Sequence, residues 1–91
     1  MRNNPQAGFI NFGAMFGGGK KTMKPTQLIS HEGAPDKLRV KFWKRMIKEG
    51  RKVKPLLVIK EGNKFGIEDG KHRFQAYKEL GIKDIPVQIV G

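Results

Sequence analysis

The segment Asp69-Gly70-Lys71-His72-Arg73 could bind an anion, because it joins a glycine to three side chains that carry positive charge or donate hydrogen bonds. It lies between a strand-like stretch and a stretch typical of a short helix. The start of a helix offers unpaired backbone N–H groups and the positive end of the helix dipole. Gly70 has no Cβ, so it permits a sharp turn and a close approach of a ligand to the backbone. The pattern favours a phosphate as the ligand.

A β-hairpin is predicted to deliver the chain to this turn. Leu56-Leu57-Val58-Ile59 is an apolar run of strand length, which we expect to be buried on both faces. Gly62-Asn63 is typical of a two-residue hairpin turn, so residues 64–67 should return antiparallel to the first strand. The returning strand then ends at the acidic pair before Gly70.

Two amphipathic helices are also predicted. The first begins after Asp36, a residue type that caps helix N-termini, and ends at Gly50. Its apolar residues recur at helical spacing and are Leu38, Phe42, Trp43, Met46 and Ile47. Because Phe42 and Trp43 lie on this stripe, we expect them in the core rather than as platforms for base stacking.

The second helix follows the glycine turn, and a last strand is expected over residues 87–90. The apolar residues of this helix lie three apart and are Phe74, Tyr77 and Leu80, with Gly81 at its end. A short strand or extended segment is expected over residues 24–29. The order strand, helix, hairpin, helix, strand predicts a small α+β domain with a mixed sheet of about four strands and two main helices.

The glycine-rich N-terminus differs from the rest of the chain. We predict that residues 1–22 form a flexible tail and that residues 23–91 form one domain. Phe9, Phe12 and Phe16 have helical spacing, so the alternative is a hydrophobic anchor that folds onto a partner. The chain has no cysteine, which excludes disulfides and thiolate metal sites.

The charge of the chain is strongly positive. Nineteen Lys and Arg residues against eight Asp and Glu give a formal net charge of +11, which favours polyanionic partners over a merely soluble surface. A basic side of the first helix could contact a nucleic-acid backbone; its residues are Lys37, Lys41, Lys44, Arg45 and Lys48. No apolar run is long enough for a membrane span and no signal peptide is visible, so we expect a cytoplasmic protein without a membrane partner.

Several short motifs in a fixed order resemble the ParB/sulfiredoxin superfamily over residues 23–91. They are Pro55-Leu56-Leu57-Val58, then Ile67 to Arg73 with Asp-Gly-Lys-His-Arg, then Ala76, Glu79-Leu80-Gly81 and Ile85-Pro86-Val87. The resemblance implies a fold that handles nucleotides or phosphoesters. In such a fold the helix that opens with His-Arg holds the phosphates of ATP, ADP or CTP, usually with Mg²⁺.

The resemblance also implies roles for individual residues. His72 and Arg73 would bind phosphate oxygens beside Lys71, Gly70 would admit the phosphate, and Asp69 would orient the turn or hold the magnesium ion.

The acidic and histidine residues outside this turn receive roles in the same way. Glu68 is a second candidate ligand for magnesium. Ser30-His31-Glu32 lies where a subgroup similar to free-serine kinases and ParB-like nucleases has a His-Glu pair. The resemblance therefore nominates Glu32 as a general base and His31 as a phosphate contact.

The sequence departs from the best-known members in three ways. Lys71 stands where sulfiredoxins have a catalytic cysteine, so repair of cysteine sulfinic acid is excluded. Partition ParB proteins have a helix-turn-helix domain and a dimerisation region after this module, for which Val90-Gly91 leaves no room, so centromere clamping is not expected. Free-serine kinases are longer, so a full serine pocket is not expected either.

Three functional hypotheses follow. The first is an enzyme for phosphoryl transfer or phosphoester hydrolysis, either an NTPase or phosphotransferase or a ParB-like nuclease, with Glu32 and Asp69 as catalytic residues. The second is a non-catalytic module that binds DNA or RNA largely independently of sequence. The third treats the glycine turn as purely structural, with Asp69 bonding backbone amides.

Overall fold

Five strands and two α-helices form residues 21–90, the part of the chain that the computed structural model describes. The strands are β1 (Lys21–Met23), β2 (Leu28–Ile29), β3 (Leu56–Glu61), β4 (Lys64–Asp69) and β5 (Ile85–Ile89). The helices are α1 (Lys37–Lys48) and α2 (Lys71–Glu79), and a 3-10 turn at Pro25–Gln27 precedes β2. The predicted α+β class is confirmed.

The sheet has one more strand than the four expected. β1 begins at Lys21, within the segment assigned from sequence to the tail, and three residues with a single buried side chain give too little alternation to be recognised. The segment after it, expected to be extended, is divided into the 3-10 turn and β2. The predictions for Phe9, Phe12 and Phe16 lie outside the described residues.

The strands form one mixed sheet in the order β1-β5-β3-β4-β2. The predicted hairpin is confirmed, because β3 and β4 pair antiparallel with Glu61 opposite Lys64 and Gly62 has a φ of 64°. β3 pairs parallel with β5, and β4 pairs parallel with β2. This order puts β4 between the central strand β3 and the edge strand β2, so the strand that leads into α2 has a hydrogen-bonded neighbour on both sides.

One face of β3 supplies most of its core contacts. Leu56 and Val58 are fully buried and cluster with Phe74 and Tyr77 of α2. The other two apolar residues of the run, Leu57 and Ile59, are half-buried. The expectation of full burial on both faces was therefore wrong, since the side chains of a strand alternate between a face that meets the helix and one that does not.

Helix α1 begins as predicted but buries a different face. Asp36 is its N-cap, and its Oδ2 accepts a hydrogen bond of 3.0 Å from the Arg39 N–H. Val40 is buried, whereas Leu38 and Phe42 are 76% and 50% exposed. Each of these two residues is two positions from Val40 and so projects from the opposite side of the helix. The prediction that Phe42 belongs to the core was wrong.

The two helices pack against each other and are joined by a polar contact at the surface. Lys44 Nζ lies 3.0 Å from Glu79 Oε1, and Gln75 Nε2 donates to Glu79 Oε2 at 2.9 Å. The Gln75 hydrogen bond, with the Lys44 ammonium, holds the pKa of Glu79 below its usual value. Between residues 21 and 90, neither helix has the length and apolar character needed to cross a membrane.

Candidate functional site

A cleft of about 320 Å³ lies where the end of β4, the start of α2 and the side of α1 meet. Its lining comprises Glu32, Arg39, Trp43, Ile67, Glu68, Asp69, Gly70, Lys71, His72 and Arg73. The structure thus brings together the turn at Asp69–Arg73 and two of the acidic residues that the sequence singled out, Glu32 and Glu68. It adds Arg39 and Trp43 of α1.

Gly70 is needed for the shape of the turn. It is the N-cap of α2 and has a φ of +114°, a conformation that residues with a Cβ rarely adopt. A Cβ at this position would lie 2.5 Å from Leu56 Cδ2 and 3.4 Å from Arg73 Nη2. The glycine is therefore explained by the backbone conformation and by close packing on Leu56.

The N-terminus of α2 has donors but no internal acceptor. Gly70 has no side chain to cap the helix, and the first hydrogen bond of the turn is 2.8 Å from the Phe74 N–H to the Gly70 carbonyl. Among residues 21–90, the N–H groups of residues 71–73 have no hydrogen-bond partner. The first turn contains basic residues and no acidic residue, which is unfavourable beside the positive end of a helix dipole. An anion at this position would accept hydrogen bonds from the unpaired N–H groups and would balance the positive charge of the first turn.

Arg73 forms the floor of the cleft and is held by the protein. The residue is 9% exposed, and its Nη1 donates to the Lys54 carbonyl at 2.8 Å. Nη2 lies 3.2 Å from Asp69 Oδ2, and the guanidinium carbon lies 5.4 Å from the centre of the Trp43 ring. These contacts fix the guanidinium in place and leave the side chain little freedom to move to a ligand.

The rim of the cleft is more open. Lys71 Nζ lies 3.2 Å from Glu32 Oε1, and the side chains are 24% and 62% exposed. Arg39 and His72 have no ion pair within the described part of the chain. The nominated base Glu32 therefore sits beside a cation that a phosphate could also contact.

His31 lies apart from this cleft. Its Nε2 is 2.7 Å from Glu61 Oε1, and Glu61 packs closely over Gly66, where a Cβ would clash with the carboxylate. This contact joins the end of β3 to the segment after β2. His31 is not among the residues that line the cleft.

The basic residues of α1 that were expected to contact nucleic acid lie outside the cleft. Lys37, Lys41 and Lys48 are exposed. Lys44 and Arg45 form the pairs Lys44–Glu79 and Arg45–Glu49, with N···O distances of 3.0 and 3.8 Å.

Magnesium would find two carboxylates at the end of β4, Glu68 and Asp69, which both line the cleft. Within residues 21–90, no group of three or more His, Cys, Asp or Glu side chains is arranged to hold a metal ion. Mg²⁺ is commonly held by one or two carboxylates together with the phosphates of a substrate. The residues fit a magnesium ion that arrives with a nucleotide, and they do not form a metal cage of their own.

Tyr77 lies one turn after Arg73 and is fully buried. Its hydroxyl has no hydrogen-bond partner in the described structure. Burial raises the pKa of Tyr77 to about 12, while the nearby positive charge of Arg73 acts in the opposite direction. The phenol therefore stays neutral near pH 7.

Sequence reasoning missed Arg39 and Trp43 as cleft residues. They are four positions apart in α1 and therefore lie on one side of the helix. That spacing is visible in the sequence, but it gains meaning only when this side of α1 is known to face the start of α2. Trp43, expected in the core, is half-buried and contacts Arg73.

The sequence profile of the ParB N-terminal domain matches residues 24–91. No curated protein sequence is significantly similar to the chain. Sulfiredoxin from Arabidopsis thaliana has a similar structure, with a TM-score of 0.69 and 20% sequence identity over 78% of this chain and 83% of that chain. At this level of identity the likeness concerns the fold.

Two structures with bound nucleotides are also similar. A free serine kinase in complex with AMP has a TM-score of 0.67 and 26% identity, covering 78% of this chain and 30% of the kinase. The C-terminally truncated chromosome-partitioning protein ParB from Caulobacter crescentus, complexed with CTP-gamma-S, has a TM-score of 0.67 and 19% identity, covering 80% and 44%. The chain thus spans less than half the length of each of these two proteins.

Proposed function

Because this chain belongs to the ParB N-terminal domain family, within a ParB/sulfiredoxin-like superfamily, we propose that its cleft binds a nucleotide through the phosphates. The observation that carries the proposal is the start of α2, where three residues whose backbone N–H groups have no acceptor within residues 21–90 line a cleft with cationic side chains. A phosphate there would accept hydrogen bonds from these N–H groups and lie at the positive end of the helix.

The cationic side chains divide into two groups. Arg39, Lys71 and His72 line the cleft with side chains that a ligand can reach, so we assign them the direct contacts with phosphate oxygens. Arg73 supplies positive charge at the floor of the cleft, while its guanidinium remains hydrogen-bonded to Lys54 and Asp69. The direct phosphate contact that the sequence suggested for Arg73 is therefore replaced by a supporting role in the proposal.

The free serine kinase supports a nucleotide as the ligand, since that protein binds AMP and is 26% identical to this chain over the aligned residues. The similarity does not identify the nucleobase or the phosphoryl acceptor, because the chain covers 30% of the kinase. A DNA or RNA backbone tracked by α1 has less support, since Lys44 and Arg45 already pair with carboxylates.

Phosphoryl transfer is the reaction that this site would serve. A phosphate that contacts Lys71 would compete with Glu32 for the ammonium, and the freed carboxylate could then accept the proton of an attacking hydroxyl or water. The oxygen of the attacking group forms a bond to phosphorus as the bond to the leaving phosphate breaks. Glu68 and Asp69 would hold a magnesium ion, which would neutralise the charge on the phosphates.

Calorimetric titration of the chain with ATP, ADP and CTP in the presence of Mg²⁺ tests the binding step. We expect at least one of them to bind, and Arg39→Ala and Lys71→Ala each to weaken binding about tenfold or more, as loss of a charge-assisted hydrogen bond would. Lys64→Ala is the matched control, because Lys64 is an exposed lysine at the opposite end of β4, and it should leave the affinity unchanged. No binding at millimolar nucleotide, or equal losses with Lys64→Ala, would refute the proposal.

The catalytic step has a separate test. Release of phosphate or transfer of a labelled γ-phosphoryl group should be lost in Glu32→Gln while the affinity for nucleotide is retained. If the unaltered chain binds nucleotide but neither hydrolyses nor transfers it to any hydroxyl acceptor supplied, the site is a binding module and the role assigned to Glu32 is wrong.

A further inference from the structure

The outer face of α1 exposes apolar side chains that residues 21–90 do not cover. Leu38 and Phe42, which are 76% and 50% exposed, lie one helical turn apart on the side of α1 away from Val40. A shallow groove of about 800 Å³ runs along this side, and its lining comprises Leu38, Lys41, Phe42, Lys44, Arg45, Lys48 and Glu49. The groove is separate from the cleft proposed for the nucleotide.

Phe42 is held in a defined position. Its ring meets the ring of Trp43 edge-on, with the centroids 5.1 Å apart and the planes at 79°. Trp43 is itself fixed against the buried guanidinium of Arg73. An aromatic side chain that is already ordered loses little conformational entropy when a partner covers it, which is typical of the anchor residues of protein interfaces.

The rim of the groove carries a net positive charge. Lys41 and Lys48 have no ion pair within residues 21–90. Glu49 is the single carboxylate that lines the groove, and it is shared between Arg45 and Arg51 at N···O distances of 3.8 and 3.2 Å. An apolar centre with a cationic border is complementary to a partner surface with an apolar centre and an acidic border.

We propose that this outer face of α1 docks an acidic amphipathic helix of a protein partner. Apolar residues of that helix would cover Leu38 and Phe42. Its carboxylates would face Lys41 and Lys48, which have no ion pair within residues 21–90. Residues one turn apart form a ridge that fits the groove between the side-chain rows of a second helix.

Other occupants fit this face less well. A second copy of the chain would oppose cations to cations across the contact. A nucleic-acid backbone would leave Leu38 and Phe42 without apolar partners. A lipid surface would be held by only two apolar side chains, whereas interfacial helices insert a broad apolar face.

Peptide pools provide the test. One pool of 18-residue peptides has mixed Leu, Met, Phe and Trp at positions i, i+3, i+4 and i+7 and mixed Glu, Asp, Ala and Gln elsewhere. The matched pool has Lys in place of the acidic residues. Retention on the immobilised chain, quantified by mass spectrometry, should be at least tenfold higher for the acidic pool.

Variants assign the binding to this face. Leu38→Ser and Phe42→Ser should each lower retention of the acidic pool about tenfold, and both residues are exposed enough for the fold to survive. Ile89→Ser is the control, because Ile89 is also a large exposed apolar residue, at 46%, but lies on β5. It should have no effect.

Equal retention of the two pools, or retention that does not change in Leu38→Ser and Phe42→Ser, would overturn the proposal. It would also be overturned if these variants equally weakened binding to a DNA duplex or to anionic lipid vesicles, or self-association of the chain. Nucleotide affinity, measured in the same variants, should be unchanged. A failure of this proposal is therefore distinguishable from a failure of the nucleotide site.

Discussion

The two helices of this domain begin in opposite ways. At the start of α1, the Asp36 carboxylate accepts a hydrogen bond from the Arg39 N–H, so part of the helix end is satisfied within the chain. At the start of α2, the corresponding position is Gly70, which has no side chain, and the nearest carboxylate, Asp69, bonds the Arg73 guanidinium instead of the backbone. The first turns of both helices are basic. In α1 the carboxylate of the N-cap residue accepts a hydrogen bond from a backbone N–H, whereas α2 has no side-chain cap.

The difference separates a structural helix start from one suited to a ligand. Ser, Thr, Asp and Asn commonly cap helices because unpaired N–H groups at the first turn are unfavourable. α2 instead depends on the positive φ of Gly70 and on the anchored Arg73 side chain to fix its first turn. Its backbone donors thereby remain without an acceptor within residues 21–90.

The largest effect is expected from removing the anchor of α2. Arg73→Ala deletes the charge-assisted hydrogen bond to the Lys54 carbonyl and the contact with the Trp43 ring. We expect the free energy of unfolding, measured by urea titration, to fall by about 3 kcal/mol. Such a loss could unfold a domain of this size, so Arg73→Lys gives a second measurement.

The lysine variant retains the positive charge but not the planar fork that reaches both the Lys54 carbonyl and Asp69. Its loss should be smaller, about 1–2 kcal/mol. If Arg73→Lys and Arg73→Ala were both as stable as the unaltered chain, the Arg73 contacts would not stabilise the start of α2. Gly70 alone would then distinguish it from the start of α1.

A methyl group at Gly70 is expected to have the next largest effect. Gly70→Ala forces a non-glycine residue to a φ of +114° and presses a Cβ onto the buried side chain of Leu56. We expect a loss of about 2 kcal/mol in the free energy of unfolding, measured by urea titration.

The matched control is Gly33→Ala, where a Cβ would meet no described atom within 4 Å and φ is not positive. It should change stability little. Equal losses at Gly33 and Gly70 would contradict the special role of the turn.

Removing the cap of α1 should have a smaller effect. Asp36→Ala leaves the Arg39 N–H to water, and loss of an N-cap typically lowers the free energy of unfolding by about 1 kcal/mol. Nucleotide affinity should not change, because Asp36 does not line the cleft. A fall in affinity as large as the tenfold expected for Lys71→Ala would mean that the two helix starts are not functionally distinct.

The start of α2 was predictable from sequence because its signals are local. The hairpin turn, the Asp-Gly pair and the basic triplet all lie within residues 62–73, and each depends on backbone geometry or on helix-end chemistry. The Asp36 cap was predictable for the same reason. The fifth strand, β1, was not predicted. It pairs with β5, whose residues lie about sixty positions further along the chain.

The orientation of α1 was not predictable in this way. Its apolar residues surround more of the helix than one face, so the sequence could not tell whether Val40 or Phe42 turns inward. The choice depends on packing against α2, which also carries Arg39 and Trp43 to the cleft. The hydrogen bond that fixes the Arg73 side chain was not predictable either, because its acceptor is the backbone carbonyl of Lys54, nineteen residues earlier.

The smallest effect concerns the surface contact that joins the two helices after their different starts. The hydrogen bond from Gln75 and the Lys44 ammonium lower the pKa of Glu79 below its ordinary 4.5, so its ionised form favours the folded state. This contribution is present above pH 4.5 and is lost as the pH falls through the pKa of the folded protein. Glu79→Gln should therefore be less stable than the unaltered chain at pH 7. The difference in urea midpoint should shrink as the pH falls below 4.5, whereas a difference that does not depend on pH would show that charge is not its cause.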